Sequence, residues 1–331
     1  MLQEGSISGR RRRGSDNRCM HLLIPFASAL SQEALQVLPS LVLPNLERLL
    51  KRLTPQARDS ADATTLSPPH ERALAAAWGW RGDDGALPFA ALAAAADGID
   101  VQSRAWGLVT PAHWQVGRDR ITMADPAALG LLEDESRELF EAVRELFESE
   151  GFAWIWGAPG RWYAAHPSLA GLPCASLDRV IGRNVDFWID AGARQHPHAP
   201  LLRRLQSEVQ LLLYPHPINA AREARGAPAV NSFWLSGCGV AQHADPAAVD
   251  IDAALRPPIL DGDAAGWAAA WAALDAGAIA RLLERIEAAD RPVALTLCGE
   301  RSAQRYAQAP RSLWQRLRAP TPNVAALLAA L

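Results

Sequence analysis

The sequence predicts an α/β fold. Isolated apolar runs of strand length, among them "MHLLIPFA" and "VALTLC", are separated by stretches with helical spacing of leucine, valine and tryptophan. Of the 331 residues, 49% are apolar, enough for a substantial core in one large domain or in a domain with a smaller lobe. Helices alternating with single strands favour a sheet flanked by helices over a helical bundle.

The first strand is expected in "MHLLIPFA". The next stretch, "QEALQVLPSLVLPNLERLLKRL", has helical spacing interrupted by Pro39 and Pro44. It should therefore form short helices with Leu46, Leu49, Leu50 and Leu53 facing the core. "TPQARDSADATTLSPPH" is polar and proline-bearing and reads as a linker, and "HERALAAAWGW" and "LPFAALAAAADG" read as compact helical pieces.

Two strands are expected around the polar turn "GRDR", in "WGLVTPAHWQV" and "ITMAD". His113 lies between them, close to Arg118. The run "EDESRELFEAVRELFESEG" places Leu139, Val143, Leu146 and Phe147 on one face and Glu133 four residues before Arg137 on another, with Gly151 as a stop. In "FAWIWGAPGRWYAA" a strand puts Trp154 and Trp156 on one face. "APLLRRLQSEVQLLLY" is a helix with Leu202, Leu205, Val209 and Leu212 inward, ended by Pro215. Further on, "ALRPPILDGD" reads as a loop, Trp267 and Trp271 lie one helical turn apart, "VALTLC" is a strand, and "GERSAQRY" is a loop entering a helix.

Composition restricts the function classes. The formal net charge is −3, and Lys51 is the only lysine, so nearly every cation is an arginine fork suited to carboxylate or phosphate. Cys19, Cys174, Cys238 and Cys298 follow no secreted or zinc-site spacing, which points to a reducing, cytoplasmic setting. No apolar run reaches membrane-spanning length, so no membrane partner is expected. Residues 1–19 form a basic leader with Arg10 to Arg13 in succession, expected to be disordered, with Met20 as an alternative start. No specific nucleic-acid motif is evident. HExxH, the phosphate-cradling lysine loop, the dinucleotide glycine fingerprint, GxSxG and paired CxxC are all absent. His196 and His198 flank Pro197 without a ligand set beside them, so no metal and no cofactor is expected.

Polar residues concentrate in "YPHPINAAREARGAPAVNSFWLSGCG". His216 and Asn219 stand beside Arg222 and Arg225, with a Gly/Pro turn before Asn231. If "NAAREARG" is helical, Asn219 can cap it while the arginines face an anion. Equally, Arg222 can pair with a carboxylate while His216 fastens its own turn. A second polar group, Asp178, Arg183 and Asn184, is spaced by apolar residues in "SLDRVIGRNVDFWIDAG". Together with His113 and Arg118 it supplies secondary site candidates.

The stretches "MHLLIPFA", "AHWQVGRDRITMADP", "SEVQLLLYPHPINAAREARGAPAVNSFWLSGCG" and "VALTLCGER" resemble bacterial RpfE-type regulatory proteins. The run from His216 to Gly239 also resembles archaeal-type cofactor-independent phosphoglycerate mutases. These resemblances imply a degenerate alkaline-phosphatase-like or phosphoglycerate-mutase-like mixed sheet flanked by helices, spanning residues 20–317. A small helical lobe around 68–100 and a tail over 318–331 complete the expected organisation. The mutases carry two metal ions and a serine nucleophile, but this chain lacks an Asp-Gly start to the first strand, a serine flanked by metal-binding aspartates, and the carboxy-terminal Asp-His-Glu plus distant His cluster that two-metal chemistry needs. The expected function is therefore a regulatory or acidic-metabolite-binding protein without two-metal catalysis, its ligand held by His216, Asn219, Arg222, Arg225 and Asn231. Metal-dependent phosphoryl transfer or phosphate hydrolysis, and a purely structural protein partner, are the alternatives.

Overall fold

The computed structural model describes residues 19–28, 31–193, 196–288, 292–310 and 322–331. Apart from Cys19, the expected basic leader lies outside them. The chain runs β1 (Met20–Ile24), α1 (Gln32–Val37), α2 (Pro44–Arg52), β2 (Thr54–Ser60), α3 (Pro69–Trp78) and α4 (Phe89–Ala96). It continues with β3 (Ala105–Ala112), β4 (Trp114–Val116), β5 (Ile121–Met123), α5 (Glu133–Glu148), β6 (Ala153–Ala158) and β7 (Arg161–Ala165). Next come α6 (Leu177–Val180), α7 (Val185–Ala193), α8 (Ala199–Leu213), α9 (Pro217–Ala224), β8 (Ser232–Val240) and β9 (Asp250–Ile251). The last elements are α10 (Arg256–Leu260), α11 (Ala264–Leu274), α12 (Ala280–Glu287), β10 (Val293–Cys298), β11 (Ser302–Ala307) and α13 (Val324–Ala329).

Two principal sheets organise these elements into a mixed α/β fold flanked by helices. The first has five strands in the order β2-β11-β10-β1-β9, with β1 parallel to both β10 and β9 and the β10-β11-β2 side antiparallel. The central strands are near-continuous apolar runs because both faces are covered. Leu22 and Ile24 of β1, with Val293, Leu295 and Leu297 of β10, face a core completed by α2, α11, α12 and α13. Alternate residues Leu23 and Cys298 face Leu74 of α3 on the other side. The buried pair His21 and Thr296 joins β1 to β10 on that second face at 2.7 Å.

The second sheet is antiparallel, in the order β6-β7-β3-β8. Its larger core lies against α5 and α8, where Phe140 and Phe147 stack on Trp154. Its other face receives α4 through Ala90, Ala91 and Ala94. Glycine permits that approach: Gly237 has φ 64°, and a Cβ there would lie 2.7 Å from the backbone nitrogen of Ala90. A third, two-stranded sheet, β4-β5, packs with α7 around Trp114, Met123 and Trp188.

The leucines expected inward on α2 are buried, and the α5 pattern places Leu139, Val143 and Phe147 in the core with an ion pair from Arg137 to Glu133 at 2.8 Å. Trp154 is buried, while Trp156 is partly buried beneath the Arg137 guanidinium, 3.7 Å from the ring centre. Five expectations change. The linker at residue 54 opens with β2, a strand exposed along almost its whole length, and "GERSAQRY" contains β11, which pairs with β2 and β10. "ALRPPILDGD" contains α10, where two prolines occupy the first turn and so need not donate hydrogen bonds within the helix. The 68–100 segment makes no separate lobe, since α3 packs on the first sheet and α4 on the second. Residues 324–331, expected within a tail, instead fold as α13 with Leu328 and Leu331 in the first core.

Candidate functional site

The His216–Asn231 stretch folds into a fastening between helices and strands. Pro217 starts α9, and the His216 ring accepts from the Ile218 N–H at 3.4 Å, so His216, not Asn219, caps the helix. Asn219 lies inside α9 and is buried. Its amide donates to the carbonyls of Leu213 and Val230 and its oxygen accepts from the Val230 N–H, each at 2.8 Å. Arg222 has no exposed surface. It donates to the carbonyls of Pro228 at 2.8 Å and Leu129 at 2.5 Å and to Glu135 at 2.5 Å.

Arg225 pairs with the other oxygen of Glu135 at 2.6 Å. Asn231 clamps Trp114, accepting from its N–H at 2.7 Å and donating to its carbonyl at 2.9 Å. Burial pushes Glu135 up, but the Leu132 N–H and the two guanidiniums leave its carboxyl below the usual range. The side chains of Asn219, Arg222 and Asn231, expected to hold a ligand, thus make hydrogen bonds within the protein. His113 likewise bonds the Ala229 carbonyl at 2.7 Å. Asn184 accepts from the Asp186 N–H at 3.1 Å, a local turn at the start of α7. Arg118 is exposed on the turn between β4 and β5.

Two secondary candidates, Asp178 and Arg183, lie elsewhere, in α6 and just after it. The short helix α6 lies where the first sheet presents the carboxyl ends of its parallel strands β1 and β10, the edge at which open α/β sheets gather ligands. Asp178 accepts from Arg256 at 2.7 Å and approaches the His70 Nε2 at 3.2 Å, while Arg256 also reaches Asp125 at 3.6 Å. Arg179 is buried and donates to the carbonyl and carboxylate of Glu300, just beyond β10, and to the Thr65 hydroxyl. Arg183 donates to the same Glu300 carboxylate at 2.6 Å and is 40% exposed. The Nε of Arg179 is buried without a hydrogen-bond partner among the described residues.

The floor of this junction is poised electrostatically. Glu71, the neighbour of His70 on α3, accepts from the Ser176 hydroxyl at 2.5 Å. Burial pushes Glu71 up to about 7, against the lowering effects of His70 and Ser176. Burial also pushes Asp178 up, but the His70 hydrogen bond and the His70 and Arg256 charges hold it at about 2. Burial lowers Arg179 from its ordinary value, with Glu300 acting in the opposite direction. At the end of β1, Phe26 has φ 56° and its ring lies 5.4 Å from that of His70. A non-glycine residue in this region costs about 1–3 kcal/mol. The Phe26 carbonyl accepts from the Trp267 indole at 3.0 Å, and the next N–H donates to the Cys298 carbonyl at 2.8 Å, so helix α11 and strand β10 hold the turn.

Beside this floor, α3, β2 and the residues following α3 line a cleft of about 370 Å³ that includes Thr65, Ser67, Arg72 and Trp80. Arg72 bonds Asp59 at 2.7 Å and the Ser67 carbonyl at 2.6 Å, and lies 3.4 Å from the Thr65 hydroxyl that Arg179 also uses. His70, Glu71 and Arg72 are consecutive but lie far in sequence from Asp178, Arg256 and Glu300, so their approach to α6 was not legible from spacing. "CGER", directly after an apolar strand, was the one local signal, since a strand's carboxyl end is where such residues collect. Among the described residues, no group of three or more His, Cys, Asp or Glu side chains is placed to hold a metal ion. No helix among them is long and apolar enough to cross a membrane.

No family model matches the chain, and no curated protein matches it. Among solved structures it is similar to the PH0037 protein of Pyrococcus horikoshii, at 15% identity over 93% of this chain and 92% of that one, with a TM-score of 0.46. It is also similar to the cofactor-independent phosphoglycerate mutase of Thermoplasma acidophilum, at 14% identity over 93% and 94% of the two chains, with a TM-score of 0.37. Likenesses this weak carry no inference about chemistry. None of these comparisons supports the resemblance to RpfE-type proteins.

Proposed function

We propose that the protein binds a small acidic metabolite at the junction around α6, with Arg183 and Arg256 as its cationic contacts and Arg179 beneath them. The observation that carries this reading is the convergence of these three arginines with His70 at the carboxyl ends of β1 and β10, where the buried Arg179 Nε has no hydrogen-bond partner among the described residues. Arg183 and Arg256 are 40% and 25% exposed, so both guanidiniums combine a protein carboxylate with access to solvent. A bound carboxylate or phosphate would share these forks with Glu300 and Asp178. The proposed result is binding, not turnover. Regulatory use of that binding is suggested only by the RpfE-type resemblance.

Calorimetric titration with citrate and with inorganic phosphate tests the assignment. A hydrogen bond to a charged group contributes about 1.5–3 kcal/mol, so Arg183→Ala and Arg256→Ala should each weaken binding of the responding probe by roughly ten-fold or more. Circular dichroism of both variants should remain native. Unchanged affinity in both folded variants would exclude the junction as the anion site.

A further inference from the structure

Cys174 and Cys238 lie 64 positions apart in sequence, yet their sulfurs are 3.7 Å apart. Cys238 is buried in β8, directly after the Gly237 distortion, and Cys174 is partly exposed on the segment that enters α6. We propose that these two thiols form a reversible disulfide under peroxide, linking that segment to the second sheet. A disulfide requires a sulfur separation of about 2.0 Å, so the pair must close by less than about 2 Å, within reach of small side-chain rotations.

Local packing assigns the order of events. Cys174 lines an apolar cleft with Trp188, Phe233 and Trp234, which gives a small oxidant a route to its sulfur. The contact with Cys174 and burial push the Cys238 thiol well above its ordinary range, making it the second reactant. The Cys174 thiolate attacks hydrogen peroxide and breaks its O–O bond, giving a sulfenic acid and hydroxide, which is protonated to water. The Cys238 sulfur then attacks the Cys174 sulfur. The S–S bond forms, the S–O bond breaks, and the departing hydroxide leaves with the Cys238 proton as a second water. Two thiols are thus oxidised by two electrons while one peroxide is reduced to two waters.

The link would act on the junction because Ser176 and Asp178 follow Cys174 by two and four residues. Its formation is independent of the proposed anion binding. Full-length protein is treated with a few equivalents of hydrogen peroxide, alkylated without reductant, digested and analysed by mass spectrometry. The expected product is a Cys174–Cys238 peptide pair two hydrogens lighter than its reduced parts, with both thiols recovered by dithiothreitol. Cys238→Ser should instead accumulate a Cys174 sulfenic acid trapped by dimedone, whereas Cys19→Ser should leave the linked pair unchanged. Two free thiols after peroxide, a trapped sulfenic acid in wild-type protein beside free Cys238, or pairing with Cys19 would each overturn the proposal. If Cys238→Ser does not fold, the wild-type peptide map decides the question alone.

Discussion

Arg222 shows how a guanidinium becomes a structural bolt. It is completely buried, and its fork joins the end of α9 to the Leu129 and Pro228 carbonyls and to Glu135 on α5. Removing one member of such a buried pair leaves the other charge uncompensated, at a cost of about 3–5 kcal/mol. Arg222→Ala should therefore lower the urea midpoint sharply, whereas the half-exposed Arg225, truncated in the same way, should cost about 1 kcal/mol or less. Equal effects would contradict the division between bolt and surface pair. The arginine's suitability for an acidic group was legible in sequence. Its partner was not, because Glu135 lies 87 positions away. Asp178 and Arg183 were legible as polar residues on an apolar background, but His70 and Glu300 meet α6 only through the tertiary fold.

At the scale of elements, legibility followed burial. Helices α2, α5 and α8 have one apolar face and show it as a periodic pattern, and β10 is buried on both faces and shows it as an unbroken run. The strand β2 has neither signal. It is an edge strand with both faces largely exposed, held by backbone pairing to β11. Helix α13 is too short to establish a periodic pattern, and its place comes from contacts far along the chain. Leu331 accepts the N–H groups of Arg301 and Ser302 through its carbonyl, and its side chain lies over Gly299, where a Cβ would approach within 2.6 Å. Leu328 is fully buried in the first core, so Leu328→Ala should cost about 2–5 kcal/mol. Chemical denaturation should show a lower midpoint with an unchanged slope. A midpoint equal to wild type would remove α13 from the core.

Across the whole molecule, buried polar groups have proton affinities that oppose one another. Glu71 titrates at about 7 in the fold against an ordinary 4.5, so the folded protein retains a proton that the unfolded chain releases. This contribution stabilises fully below 4.5 and is lost as pH rises through about 7. The buried His21 acts in the opposite sense. Burial and the nearby Arg305 lower it to about 4 from 6.5, so its contribution is present above 6.5 and is lost as pH falls through about 4. Asp178, held at about 2 against 3.8, adds stability that disappears only as pH falls below 3.8. Between 4.5 and 6.5 the Glu71 and His21 effects oppose each other, leaving the wild-type stability curve shallow. Glu71→Gln removes one of them while keeping an acceptor for the Ser176 hydroxyl. The variant should be more stable than wild type at pH 8, by an amount on the order of 3 kcal/mol at most. That advantage should vanish near pH 4.5, so the variant loses stability on acidification more steeply between 6.5 and 4.5. Urea unfolding at half-unit pH intervals measures the difference directly, and parallel curves for the two proteins would show that Glu71 does not carry the buried proton at the junction.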